Sequence, residues 1–366
     1  MTTSFVRAQR PASSRPEEAR PLRIAWLAVL IGVGVLGWCA PADAYLDRWG
    51  FSPAPNRFLP LSALREFRAD LSLVWPKEAE AEPGAPGPVA GLSNAQWVAA
   101  DIIEKGKHGA PSILHLGFVL AGNVSLDARL DRISAWGDAL EAAGAMRFVY
   151  AVLGIDDSNC INLLDPQADL VRRRITAALA AAFPGKPVGH VLDIAGWAEE
   201  RWQHNCGPIA PDRFGFTGET IVFAYDYRTD GLATCAQAGR EPSKDPRLNA
   251  NLILRDLEAM LATLRRTETG ARPVVLIAKG YHYGVCTVDP QRDFQIACFL
   301  SDLWSRLRRI DPATSPFASV VAFLAFAWHD QCGAYVWTGF EHSKPLRAAA
   351  RWIADHRGRV DPPANY

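Results

Sequence analysis

The chain has 366 residues, 49% hydrophobic and 21% charged, enough for one large α/β domain or two smaller ones and unlike a disordered or fibrous protein. Its 39 basic residues balance its 39 acidic ones, so no excess of positive charge argues for a polyanion, and no nucleic-acid partner is expected.

In chain order, residues 1–22 are polar and proline-bearing. Arg20 and Arg23 precede IAWLAVLIGVGVLGW, fifteen residues without a charge, and CAPADA follows with Ala42 and Ala44 at the small positions that signal peptidase reads. Cleavage after Ala44 is expected, which makes 1–44 a tail and signal peptide and 45–366 the mature domain. The apolar stretch is shorter than the roughly 20 residues that cross a bilayer comfortably. An uncleaved N-terminal anchor is the alternative, and only in that case does a membrane become a partner. Bulky Trp38 before Cys39 argues against lipidation. The expected compartment is periplasmic or extracellular. Loss of the signal leaves Cys160, Cys206, Cys235, Cys286, Cys298 and Cys332, an even set that reads as up to three disulfides in an oxidising compartment, with fifteen pairings open.

From Trp49 onward, apolar runs alternate with helical patterns. The expected strands are 48–53, 71–75, 112–120, 147–155, 190–196, 220–227, 273–280 and 319–328. Segments with 3.6-residue apolar spacing lie between them, among them LDARLDRISAWGDALEAAG, LVRRRITAALAAAF, NLILRDLEAMLATLRR and FQIACFLSDLWSRLRRI, and PLRAAARWIADH closes the chain. The proline- and glycine-rich stretch 77–92 reads as a surface insertion. Eight strands alternating with helices predict a single-domain (β/α)8 TIM barrel of the α/β class, whose strands are apolar on both faces. A doubly wound open sheet is the alternative, although no GxGxxG turn follows the first strands.

A barrel of this kind builds its site at the C-terminal ends of its strands. The candidates there are Trp75, Asp156, Asp157, Trp197, Glu199, Tyr225, Asp226, Tyr227, Lys279, Tyr281, His282, Trp328, His329 and Asp330. Carboxylates beside aromatic rings suit a carbohydrate: the C–H face of a pyranose stacks on a ring, polar side chains take its hydroxyls, and a carboxyl pair cleaves the glycosidic bond. Asp193, inside an expected strand, reads equally well as inward-facing in the barrel or as an ion-paired structural acid, and His115 as a sugar contact or a satisfied core histidine. Trp304 and Trp352, on helices, read as core.

Three stretches carry a resemblance: TIVFAYDYRTDG, RPVVLIAKGYHYG and VVAFLAFAWHDQCGAYVWTG. They resemble strands six, seven and eight of the cellulase and mannanase type of glycoside hydrolase, a clan of (β/α)8 barrels with one catalytic glutamate after strand four and another at the end of strand seven. The resemblance implies Trp328 as the aromatic floor of the substrate cleft. It departs at the glutamates. Aligned without gaps, the nucleophile position falls on Ala278 with Lys279 next to it, and the acid position falls on Ile155, ahead of Asp156 and Asp157.

Two readings follow. Hydrolysis of O-glycosyl bonds could use other acids, Asp156 or Asp157 with Asp226 or Glu199, retaining at a carboxyl separation of about 5 to 5.5 Å and inverting at about 6.5 to 9.5 Å. Alternatively the barrel binds a poly- or oligosaccharide without cleaving it, with Lys279 meeting an acidic sugar or pairing with Asp226 or Asp156. The number of acids leans the balance to an enzyme, and a structural envelope protein is a third reading. His282 and Cys286 stand four apart, but CxxC, HExxH, GxSxG and GxxxxGK are all missing, so no metal and no cofactor is expected.

Overall fold

The structure, a computed structural model, describes residues 46–53, 57–76, 82–117, 124–155, 166–194, 219–226, 249–267, 272–279, 282–283, 290–309, 315–329, 331–332 and 336–357. The barrel wall is made by β1 (Arg48–Ser52), β2 (Leu71–Val74), β3 (Ser112–His115), β4 (Val149–Leu153), β5 (Val188–Gly189), β6 (Val191–Asp193), β7 (Val222–Asp226), β8 (Val274–Lys279) and β10 (Val320–Phe326). These nine are parallel, in the order β5-β4-β3-β2-β1-β10-β8-β7-β6. The first and last strands of the wall pair, with Ser52 opposite Phe326.

The two ends of that order are pieces of one segment. β5 pairs with β4 and β6 pairs with β7, and only His190 separates them. Backbone bonds continue across the joint, from Val191 N–H to the Ile155 carbonyl (3.0 Å) and from Phe223 N–H to the His190 carbonyl (3.2 Å). The wall therefore crosses eight times and its ends meet in a (β/α)8 barrel. The strand expected at 190–196 corresponds to this split segment, which starts two residues earlier, at Val188, and ends as a strand at Asp193.

Helices α1 (Leu61–Glu66), α2 (Asn94–Lys107), α3 (Leu126–Ala142), α4 (Pro166–Ala182), α5 (Asn249–Thr267), α6 (Pro290–Arg309) and α7 (Lys344–Asp355) alternate with the strands. The first two were not singled out from the sequence. Local chemistry starts several of them. Ser93 and Gln96 form a reciprocal capping box on α2, and Ser125 and Ser343 accept first-turn N–H groups of α3 and α7.

Alternation along each strand divides the core. Leu71, Leu73, Ile113, Leu153, Val191, Phe223, Val275, Ile277, Leu324 and Phe326 form one cluster drawn from strands around the ring, with no helix residue in it. This is the barrel interior. The opposite parity, including Phe51, Val222, Ala224, Leu276, Ala278 and Phe323, packs against α5, α6 and α7. Val74, Leu114 and Val152 pack against α2, α3 and α4.

Beyond the wall, β9 (His282–Tyr283), β11 (Gln331–Cys332) and β12 (Val336–Thr338) make a small antiparallel sheet. It joins the loop after β8 to the loop after β10 at the C-terminal rim. Its register sets Gln331 opposite Trp337 and Trp337 opposite Tyr283, a single cross-strand row.

Candidate functional site

The inward positions at the C-terminal ends of the strands form the upper layer of the barrel interior. Trp75 is central to it. Its ring stacks on His115 at 4.1 Å between centroids and 12° between planes, and on Phe326 at 5.8 Å and 29°. Its Nε1–H donates to Ser52 Oγ (3.1 Å). Across the barrel, Asp193 pairs in register with Tyr225, and Tyr225 with Ile277. Trp75, His115, Phe326 and Tyr225 are buried, while Asp193 is half-buried.

His115 is neutral here for a physical reason. Burial lowers its pKa from 6.5 to about 3, and its Nδ1 accepts the Gly117 N–H (3.2 Å). The remaining proton is therefore on Nε2. The layer thus brings together aromatic surface, an imidazole and a carboxylate, the kinds of group found around a sugar.

The register corrects two positions read from the ungapped alignment. Ala278, matched there to the nucleophile, is buried in the helix-facing layer. Lys279 continues the series of Val275 and Ile277 and pairs with Phe326, so it holds the inward register position at the end of β8. Ile155, matched to the acid, also packs into the helix-facing layer beside α4. Asp226 pairs with Ala278 and continues the outward series of Val222 and Ala224.

Trp328 is the clearest correction. The strand ends at Phe326 and the chain bends, which carries the Trp328 ring out of the barrel. It packs edge-on against Phe51 (5.1 Å) and parallel to Phe340 (6.3 Å, 7°), and the Arg347 guanidinium lies over it at 5.6 Å. The ring is 3% exposed. It is part of the wall's outer packing and not a cleft floor; the last strand's inward ring is Phe326. His329 is also buried, in the bend after β10.

Lys279 and His282 are placed by their backbones, in β8 and β9. Asp156, Asp157, Trp197, Glu199, Tyr227, Tyr281 and Asp330 lie outside the described residues, as do the segment 1–44 and Cys160, Cys206, Cys235 and Cys286. Cys298 is half-buried on α6. Among the described residues, no group of three His, Cys, Asp or Glu side chains is arranged to hold a metal ion. Sequence reading missed Phe326, Ser52 and His190. The first was available from alternation along VVAFLAF; the other two become visible only when the pairing partners are known.

No family model matches the chain, and no curated protein matches it. Solved structures do. A Streptomyces cattleya GH5_18 structure in complex with GlcNAc is 15% identical, with 87% of this chain and 82% of that one covered at a TM-score of 0.56. The intracellular xylanase TsXylA from Thermoanaerobacterium saccharolyticum is 11% identical, with 84% and 97% covered at 0.50. A family 5 xyloglucanase from Paenibacillus pabuli is 8% identical, with 85% and 99% covered at 0.51. At such identities the likeness is one of fold, and the shared fold is the (β/α)8 barrel.

Proposed function

We propose that the chain is an exported, glycoside hydrolase-like protein whose barrel mouth binds a poly- or oligosaccharide. The observation that carries this is the upper inner layer, where the Trp75–His115–Phe326 stack faces the Asp193–Tyr225 pair across the ring. The solved neighbours include structures holding GlcNAc and xylotriose, which supports a sugar as the ligand class. Binding without cleavage is the favoured form. The register position that ends β8 on the inward series, where the resemblance implies a glutamate, is held by Lys279. A lysine there suits an acidic sugar.

A second reading, hydrolysis, is favoured by one observation: Asp193 brings a carboxylate to the inner wall. It needs a partner acid, with Asp156, Asp157 and Glu199 as candidates. Titration calorimetry of residues 45–366 with GlcNAc, xylo-oligosaccharides, xyloglucan and a uronic-acid-bearing glycan tests the proposal, paired with a reducing-end assay on the same mixtures. Saturable binding without new reducing ends supports the binder; new ends lost in Asp193→Asn support the hydrolase. An absence of binding across a broad glycan panel overturns both. Export is tested by sequencing the N-terminus of the protein recovered outside the cytoplasm, which is expected to begin at Tyr45.

A further inference from the structure

His190, at the point where the barrel wall breaks and rejoins, takes no part in the proposed sugar contacts, yet its whole side chain is used. Its Nδ1 accepts the Ile155 N–H at 2.8 Å, at the exit of β4. Its Nε2 lies 2.8 Å from Thr176 Oγ1, and that hydroxyl donates to the Arg172 carbonyl (2.8 Å). Neutral His190 therefore carries its proton on Nε2 and donates to Thr176 Oγ1, with Glu219 Oε1 also near at 3.5 Å, and the Thr176 hydroxyl donates to the backbone of α4. Arg172 then bonds Glu219, just before β7, and Asp169 (2.6 Å). The imidazole lies against Gly154, where an added Cβ would sit 2.7 Å from the ring.

The same residue joins both sides of the break through its backbone, since its carbonyl accepts the Phe223 N–H and Asp193 follows three residues later. A serine or valine at 190 could close the backbone ladder but could not reach both Ile155 and Thr176. We infer that His190 is a positioning residue: by holding the β4 exit to the β5–β6 joint, it sets the Asp193–Tyr225 side of the mouth against the strand-four side. This inference rests on the proposed saccharide site for its effect on binding, but the joint itself can be read without any ligand.

Two substitutions separate the two ring nitrogens. In His190→Asn the amide oxygen stands near the Nδ1 position and can accept from Ile155; in His190→Gln the amide nitrogen stands near Nε2 and can serve only Thr176. Each is measured by hydrogen exchange at the Ile155 amide, by thermal melting, and by titration with the glycan that wild type binds. The expected result is faster Ile155 exchange and about tenfold weaker glycan binding in His190→Gln, with both close to wild type in His190→Asn, at similar melting temperatures. Unchanged Ile155 exchange in His190→Gln overturns the joint. Faster exchange with undiminished glycan affinity overturns the positioning role. Should His190→Gln not fold, Thr176→Val replaces it, since it frees the ring from its Nε2 anchor and is expected to speed Ile155 exchange relative to Thr176→Ser. If wild type binds no glycan, the proposed function fails and the exchange result alone decides the joint.

Discussion

Trp75 lies flat on His115, 4.1 Å away and within 12° of parallel, and the same environment that makes this stack keeps the imidazole uncharged. His190 is likewise held to about 3, by burial first and then by the nearby Arg172 charge. Both folded-state values lie below the 6.5 of an exposed histidine, so the unfolded chain takes up these protons first. Stability contributed by the neutral rings is complete above pH 6.5 and is lost as pH falls through the window from 6.5 to about 3. The limiting slope is about 1.4 kcal/mol per pH unit for each histidine. Urea unfolding between pH 7 and 5, above the range where carboxylates dominate, should show this decline, and His190→Asn should remove about half of the slope. A flat profile there would mean that water reaches the rings or that a neighbouring acid, such as Glu219 at 3.5 Å from His190 Nε2, holds the proton on folding.

The ungapped alignment suggests Ala278→Glu as the substitution that restores a nucleophile, and the register says otherwise. Ala278 is 1% exposed in the helix-facing layer, so a carboxylate there is buried among apolar side chains without a partner. Ala278→Glu is expected to cost more than about 3 kcal/mol or to prevent folding. Lys279→Glu, one residue on and in register with Phe326, is expected to fold with a melting temperature near wild type. Thermal melts of the two variants side by side check this, and equal losses would void the register assignment.

The difference between those two neighbours marks how far sequence carried. Element order was legible because each wall strand is a compact apolar run, and the long amphipathic helices α3 to α7 follow a 3.6-residue period. Period-two alternation within VVLIAK also held the inward position of 279, but the family pattern drew attention to 278. Trp328 was misplaced because alternation extrapolated past Phe326 points inward, whereas the strand stops and the chain turns. The split at His190 had no local signal. GHVLDIAG reads as one strand, and only its two different neighbours, β4 and β7, make it two.

A buried pair on α2 offers a separate measurement. Lys105 and Asp101 sit one turn apart, 2.5 Å between charged atoms, with side chains 2% and 3% exposed. Burial pushes the lysine's pKa down and the aspartate's up, while each partner's charge opposes the shift. Lys105→Met leaves an uncompensated acid in the core and is expected to cost about 3 to 5 kcal/mol. Lys105→Met with Asp101→Leu removes both charges and should recover most of that loss. A double-mutant cycle in urea reads the coupling directly; additive losses would show that the two groups do not depend on each other.

Two nearby glycines before and within the split segment separate backbone strain from lack of room. Gly185 has φ of 73° and nothing within 4 Å of an added Cβ, so Gly185→Ala should lose only the left-handed penalty, about 1 to 2 kcal/mol. Gly189 is different: an added Cβ would stand 2.0 Å from the Ile221 carbonyl oxygen, and a backbone atom cannot swing aside as a side chain does. Accommodating it means moving β5 away from the segment leading into β7, which is the closure that the Thr220 N–H to Val188 carbonyl bond (2.9 Å) maintains. Gly189→Ala is therefore expected to lose cooperative unfolding in circular dichroism melts while Gly185→Ala keeps it. A cooperative Gly189→Ala transition within about 1 kcal/mol of wild type would show that the wall closes without this contact.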